Sequence, residues 1–147
     1  MDITRKLLAP TWRPLMQAAT RLYCDSSVRA LINFPLTKLE AGKNKYVLSH
    51  VYIHGMMGSA KQVIRSSPRA KYHLHVYDKL QKEAAGLGLC TQGLGGGYLV
   101  YDPQKKYIKL YGKSGVLGKA DHDKAKDILR KVHPDFKIDA ESGGMKP

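Results

Sequence analysis

Acidic side chains are missing from a long stretch of this chain. Between Glu40 and Asp78 there is no Asp or Glu, while Lys43, Lys45, Lys61, Arg65, Arg69 and Lys71 all fall there, together with His50, His54, His73 and His75. The whole chain repeats the imbalance, with 12 acidic residues against 25 basic ones and a formal net charge of +13. A basic region with imidazoles and no internal counter-charge suits an anion, whether a phosphorylated substrate, a nucleic acid or a membrane surface. Cysteine is scarce as well. Cys24 and Cys90 make neither a disulfide framework nor a zinc-finger spacing, so reduced thiols in an intracellular, cytoplasmic setting are expected. No apolar run approaches the roughly 20 residues that cross a bilayer, and no membrane partner is expected. Charged residues at 25% and hydrophobic ones at 43% of 147 residues fit one globular domain with a real core.

The first 35 residues differ from the rest. They carry Arg5, Lys6, Arg13, Arg21 and Arg29 against Asp2 and Asp25, and Pro10 and Pro14 prevent one continuous helix. Low acidity, arginines and hydroxyl residues match a mitochondrial targeting segment, and equally a basic extension loosely docked on a domain. The domain itself is expected over residues 36–140, with a flexible tail over 141–147.

Within the domain, Lys45 to Gly55 alternates as a strand, with Tyr46, Leu48, His50 and Tyr52 on one face. Met56 to Ala60 reads as a loop and Lys61 to Arg65 as a short strand. Ser67 suits an N-cap and Pro68 a first helical position. His73, Val76, Tyr77, Leu80, Ala84 and Leu87 then recur on one helical face, with Gly86 and Gly88 as the stop. Gly95-Gly96-Gly97 lacks the spacing of a dinucleotide fingerprint and leads into a strand, so close backbone approach or a bulge is its expected role. Tyr98–Tyr101 and Tyr107–Gly112 read as a hairpin joined by the turn Asp102-Pro103-Gln104-Lys105. Asp121 suits the cap of a second helix with His122, Ala125, Leu129 and Val132 on one face, and Phe136–Asp139 reads as a last strand. The expected class is α+β: a mixed β-sheet with two helices packed against it in a single domain.

Chemistry concentrates at three places. His73 falls on the inward stripe near the positive end of its helix, where the dipole favours neutral imidazole, the form that attacks phosphorus or takes a proton from water. The loop Ser114-Gly115-Val116-Leu117-Gly118 precedes the second helix and can turn several N–H groups toward one anion, although it is not a Walker A loop. His122 also falls early on an inward helix face. A metal site is not expected. On a helix His73 and His75 point roughly 200° apart, and on a strand His50 and His54 lie roughly 13 Å apart. The tyrosines of the hairpin, Tyr98, Tyr101, Tyr107 and Tyr111, could stack nucleic-acid bases. Tyr98 and Tyr101 need not share a face, however, and no RRM signature is present, so packing is the simpler use and nucleic acid stays a third reading.

The ordered segments KYVLSHV, VIR, YHLHVYDK, LGGG, KKYIKLYG, the SGVLG loop and ADH resemble the Janus/ocnus family of insect proteins, on its janus-B/ocnus side, and its relative the 14 kDa phosphohistidine phosphatase. The likeness runs from about Lys45 to Ile138. It implies metal-independent hydrolysis of phosphohistidine in proteins, with no cofactor. It implies His73 as the catalytic residue, and Lys45, Arg65, Ser114, Gly115, Val116 and His122 as substrate-binding residues. The implied partner is a phosphohistidine-containing protein, and a monomer is expected. Two departures stand out: Ser66 where the family usually has glycine, and Tyr98 after Gly97 where it usually has arginine. The second weakens the expected grip on phosphate and keeps open a non-catalytic, phosphoprotein-binding relative. The resemblance also carries an association with sex differentiation and testis-biased expression.

Overall fold

The computed structural model describes residues 26–141. Residues 1–25 of the expected targeting segment over 1–35, and residues 142–147 of the expected tail over 141–147, lie outside the described residues. In chain order the elements are α1 (residues 26–33), β1 (Thr37–Lys38), β2 (Gly42–Ile53), β3 (Met56–Ser67), α2 (His73–Ala85), β4 (Cys90–Asp102), β5 (Tyr107–Tyr111), α3 (His122–Val132) and β6 (Lys137–Ala140). One open six-stranded sheet runs in the order β1-β3-β2-β4-β5-β6. The β1–β3 and β5–β6 pairs are parallel and the other neighbours antiparallel. This is an α+β single domain with a mixed sheet.

Period-two alternation decides which layer each residue enters. Tyr46 and Leu48 of β2 join Ile64, Leu99, Ile108, Leu110 and Ile138 on the face that packs against Ala125, Ile128 and Leu129 of α3. Val51 and Val63 point the other way, onto Leu80 and Ala84 of α2 and onto Leu31 and Phe34. The sheet is thus covered on both sides. Each fully buried aliphatic side chain contributes about 1.5–3 kcal/mol, and Leu80→Ala would cost about 2–5 kcal/mol.

Four local expectations change. Met56–Ala60 is not a loop but the first half of β3, because the chain reverses at once at His54-Gly55, where Gly55 adopts φ +78°. The first long helix does not start at Ser67 and Pro68. Ser67 ends β3 opposite Lys45, the residue before a proline favours extended backbone, and α2 opens six residues later with Tyr72 as an N-cap that supplies no side-chain bond. The strand expected over Tyr98–Tyr101 is the longer β4, which includes all three consecutive glycines. Finally, α1 and β1 had no periodic signal of their own. Phe34 and Leu31, on the extension side of the expected boundary, are buried against α2 and the sheet. The Lys61 ammonium donates to the carbonyls of Leu31, Ile32 and Phe34 at 3.1, 2.9 and 2.7 Å, which satisfies the orphan acceptors at the end of α1. Among the described residues, no helix is long and apolar enough to cross a membrane.

Candidate functional site

Three glycines in a row on β4 each lie under something different. Gly95 adopts φ +147°, and a Cβ there would sit 2.7 Å from the backbone nitrogen of Ala120. A Cβ on Gly96 would meet the carbonyl oxygen of Tyr46 at 2.9 Å, His73 Cδ2 at 3.0 Å and Ser114 Cβ at 3.1 Å. A Cβ on Gly97 would lie 2.8 Å from His122 Cε1 and from the carbonyl oxygen of Tyr111. Both expected roles of the glycine run are therefore met: close approach at all three positions, and a register shift in the β2–β4 pairing between Leu48 and Ser49 beside Gly95. Consecutive strand residues face opposite ways, so His73 and His122 lie on opposite faces of the sheet.

His73 is the first residue of α2 and is buried. Its Nε2 lies 2.8 Å from the carbonyl oxygen of Gly97. A carbonyl only accepts, so Nε2 carries the hydrogen and donates it, and in the neutral ring the lone pair resides on Nδ1. Among the described residues no hydrogen-bond partner takes Nδ1. His75, two residues on, is exposed and packs edge-on against the exposed Tyr72.

Around His73 the register collects a basic and aromatic cluster. Lys45, Tyr98 and Tyr111 are directly opposed across β2, β4 and β5, so they share one face of the sheet. The Tyr98 ring meets the His73 ring edge-on with centroids 5.4 Å apart and stacks on Tyr111 at 5.6 Å. Lys45 Nζ donates to the carbonyl of Ala70 at 3.3 Å, beside the start of α2, and lies 6.0 Å from the Tyr98 centroid. Lys43 Nζ lies 5.7 Å from the same centroid.

Ser114 closes the cluster. It is buried, and its backbone exchanges hydrogen bonds with Gly118, while the N–H of Gly96 donates to the Gly118 carbonyl. The loop is thereby fastened to β4 beside His73. Ser114 Oγ accepts from the N–H groups of Val116 and Leu117 at 3.3 and 3.1 Å, so two loop donors already converge on one oxygen. Gly115 and Val116 form the exposed tip, with Val116 at 69% exposure.

Two expected substrate ligands are not brought here. Arg65 is buried, and its Nε and Nη2 donate to Glu83 at 3.2 and 3.4 Å while its guanidinium lies 5.0 Å from the Phe34 centroid. Glu83 sits near the C-terminal end of α2, about three turns from His73. Lys38 reaches the same carboxylate at 2.6 Å. Burial alone would raise the Glu83 carboxyl, but the hydrogen bonds from Lys38 and Arg65 outweigh it and hold the group below its usual range. His122 lies across the sheet with both nitrogens engaged. Nε2–H donates to the Gly112 carbonyl at 2.9 Å, and Nδ1 accepts from the Tyr46 hydroxyl. Burial, reinforced by Asp121, raises the Tyr46 phenol, which keeps it a donor. His122 is accordingly a core histidine that ties α3 to the sheet.

Sequence reasoning missed the pairing of Tyr98 with Tyr111 and the contribution of Lys43. The signal was available in strand parity: Lys43 and Lys45 share a face, and the Asp102–Lys105 turn sets Tyr98 opposite Tyr111.

Residues 31–137 match the Janus/Ocnus family. The sex-regulated protein janus-B of Drosophila sechellia is 33% identical over 111 residues, covering 74% of this chain and 79% of its own length. The sex-regulated protein janus-A of Drosophila melanogaster is 34% identical over 131 residues, covering 88% of this chain and 96% of its own length.

Proposed function

This chain belongs to the Janus/Ocnus family, and from that premise we propose that it is a metal-independent protein phosphohistidine phosphatase of low activity. The observation that carries the reading is the fixed tautomer of His73: Nε2–H is held by the Gly97 carbonyl, and the Nδ1 lone pair has no protein partner among the described residues. Lys45 supplies positive charge beside it, and Ser114 supplies a hydroxyl held by two loop N–H groups. In the proposed reaction Nδ1 attacks the phosphorus of phosphohistidine. The P–N bond to the substrate imidazole breaks, that imidazole takes a proton from solvent, and water then cleaves the new phosphoimidazole to give inorganic phosphate. The same lone pair could instead take a proton from the attacking water. Acid-stable trapping is not available for a phosphoimidazole, so phosphorus NMR at alkaline quench separates the two routes.

The low activity follows from Tyr98. A neutral phenol stands where a guanidinium would grip phosphate in two places, and Arg65 is already paired with Glu83. The same observation favours a second reading, a phosphoprotein-binding relative with little turnover. Phosphate release from a phosphohistidine peptide decides between them. Release by the purified chain that is abolished in His73→Ala supports catalysis; binding without release supports the second reading, and neither would overturn both. The relatives are named as sex-regulated, and a role in sex differentiation is proposed for this chain on that ground.

A further inference from the structure

The Tyr98–Tyr111 pair occupies the wall of the site where a second cation would be expected, and its placement is tightly specified. Gly112 adopts φ +72°, and a side chain there would run into the Tyr98 ring at 2.6 Å, so the backbone of the β5 exit is shaped around that ring. The two rings stack at an interplanar angle of 23° and stay half-exposed. Neither hydroxyl has a hydrogen-bond partner among the described residues. Lysine ammoniums surround the pair: Lys43 lies 5.7 and 6.0 Å from the two centroids, and Lys109 lies 5.5 Å from that of Tyr111. Tyr98 also touches His73 edge-on. The site thus joins a phosphoanion-binding edge to a planar, electron-rich wall, within reach of one nucleophilic nitrogen.

We infer that Tyr98 and Tyr111 are specificity-determining residues that receive the imidazole ring of the phosphohistidine substrate, so that the site prefers a ring-bearing phosphoramidate over an aliphatic or ringless one. The inference rests on the phosphohistidine reading above and deepens it. The physical basis is the preference of aromatic rings for stacked or edge-to-face partners. Protonation of the substrate ring on its unphosphorylated nitrogen strengthens it, because a cationic ring is attracted to a tyrosine face. Phospholysine offers a flexible alkyl chain and phosphoramidate offers only an amine, so neither uses the wall. An arginine at position 98 would instead grip the phosphoryl group common to all three.

The experiment compares the full chain with Tyr111→Leu and Tyr98→Phe on a phosphohistidine peptide, a phospholysine peptide and phosphoramidate, with a melting curve for each protein. Tyr111→Leu should raise KM for the phosphohistidine peptide about three- to tenfold, the range that one aromatic contact supplies. Its KM for the other two substrates should rise less than its KM for the phosphohistidine peptide. Tyr98→Phe, which keeps the ring, should keep the parent's preference for the phosphohistidine peptide over the other two substrates. Equal losses on all three substrates, or no change on phosphohistidine, would overturn the wall. A binding arm keeps this separate from catalysis: a peptide with a non-hydrolysable phosphoryl-triazole analogue of phosphohistidine is titrated against a phosphoserine peptide. A preference for the triazole that Tyr111→Leu erases, in a chain that turns over nothing, would retain the wall and reject the phosphatase. No preference in the parent chain would reject the wall whatever the turnover.

Discussion

His73 and His122 are back to back across strand β4, one seated on Gly96 and the other on Gly97. Each is the first residue of its helix, and each donates Nε2–H to a backbone carbonyl. They differ at Nδ1. The Tyr46 hydroxyl occupies it in His122, and no protein partner among the described residues does so in His73.

The two glycines should therefore respond differently to the same methyl group. In Gly97→Ala the Cβ strikes His122 and the Tyr111 carbonyl, an overpacking cost of about 1–3 kcal/mol. The melting temperature should fall while the folded fraction keeps its turnover. In Gly96→Ala the Cβ presses on His73 and Ser114, so turnover should fall further than stability does. Melting curves and phosphohistidine kinetics on both variants check this, and identical profiles would contradict the opposite-face assignment.

His73→Ala should remove nearly all turnover and His75→Ala should retain most of it. A positioned acid–base or nucleophilic group typically supplies about 10²–10⁴-fold. His75 is exposed and packs on Tyr72 outside the cluster. Equal losses from both substitutions would show that the catalytic assignment is wrong. Chelator treatment should leave the parent rate unchanged.

Tyr98→Arg should raise kcat/KM toward phosphoryl substrates in general. A charge-assisted contact of about 1.5–3 kcal/mol would allow roughly 10- to 150-fold. The expected gain is at the lower end, since Lys43 and Lys45 already stand beside the ring. Loss of the stack on Tyr111 should lower the melting temperature, at a cost of about 0.5–1.5 kcal/mol. Unchanged or lower kcat/KM in a fully folded variant would reject the missing-guanidinium account.

Glu83→Gln should destabilise the chain by about 1–3 kcal/mol by leaving the buried Arg65 without a counter-charge. The partial exposure of Glu83 keeps the figure below that of a sealed pair. The linkage has a definite sign. The folded carboxyl lies below its unfolded value of about 4.3, so its contribution is complete above that pH and is lost as pH falls through the folded pKa. Denaturant titrations at pH 6 and in the acid range should show this loss in the parent chain and a smaller one in the variant.

A chain starting at residue 26 should unfold cooperatively, and one starting at residue 36 should not, or should melt more than about 10 °C lower. The shorter chain lacks Leu31 and Phe34, and loss of one buried phenylalanine side chain costs about 3–5 kcal/mol. It also strips Lys61 of three carbonyl acceptors. Equal cooperativity in the two chains would show that α1 is dispensable.

Much of this architecture is legible in the sequence where period and local chemistry agree. The alternation from Tyr46 to Tyr52, the inward stripe of His73, Val76, Leu80 and Ala84, and the Asp121 cap appear as read, while Leu87, read on the same stripe, lies past the end of α2 and is exposed. What was not legible depends on distant partners. Phe34 is buried because Arg65 and the sheet meet it, and no local pattern announces that. Arg65 lies in an acid-free stretch of sequence, yet its counter-charge Glu83 comes from the far end of a helix. His73 and His122 look alike in sequence because each opens an amphipathic helix. Their separation follows from the parity of two adjacent glycines on a strand between them.

The place of β2 at the centre of the sheet sets an order of assembly. Its pairing with β3 closes through a two-residue reversal, whereas the parallel pairs join residues as far apart as Thr37 with Ile64 and Tyr107 with Lys137. Local closure costs less chain entropy than distant closure, so the β2–β3 hairpin can form before either edge strand docks. The edges then act as late closures that open first. Slowest exchange should fall on the amides of Val47 and Leu48, which lie between two full-length neighbours, while β1 and β6 exchange through local opening without loss of the centre.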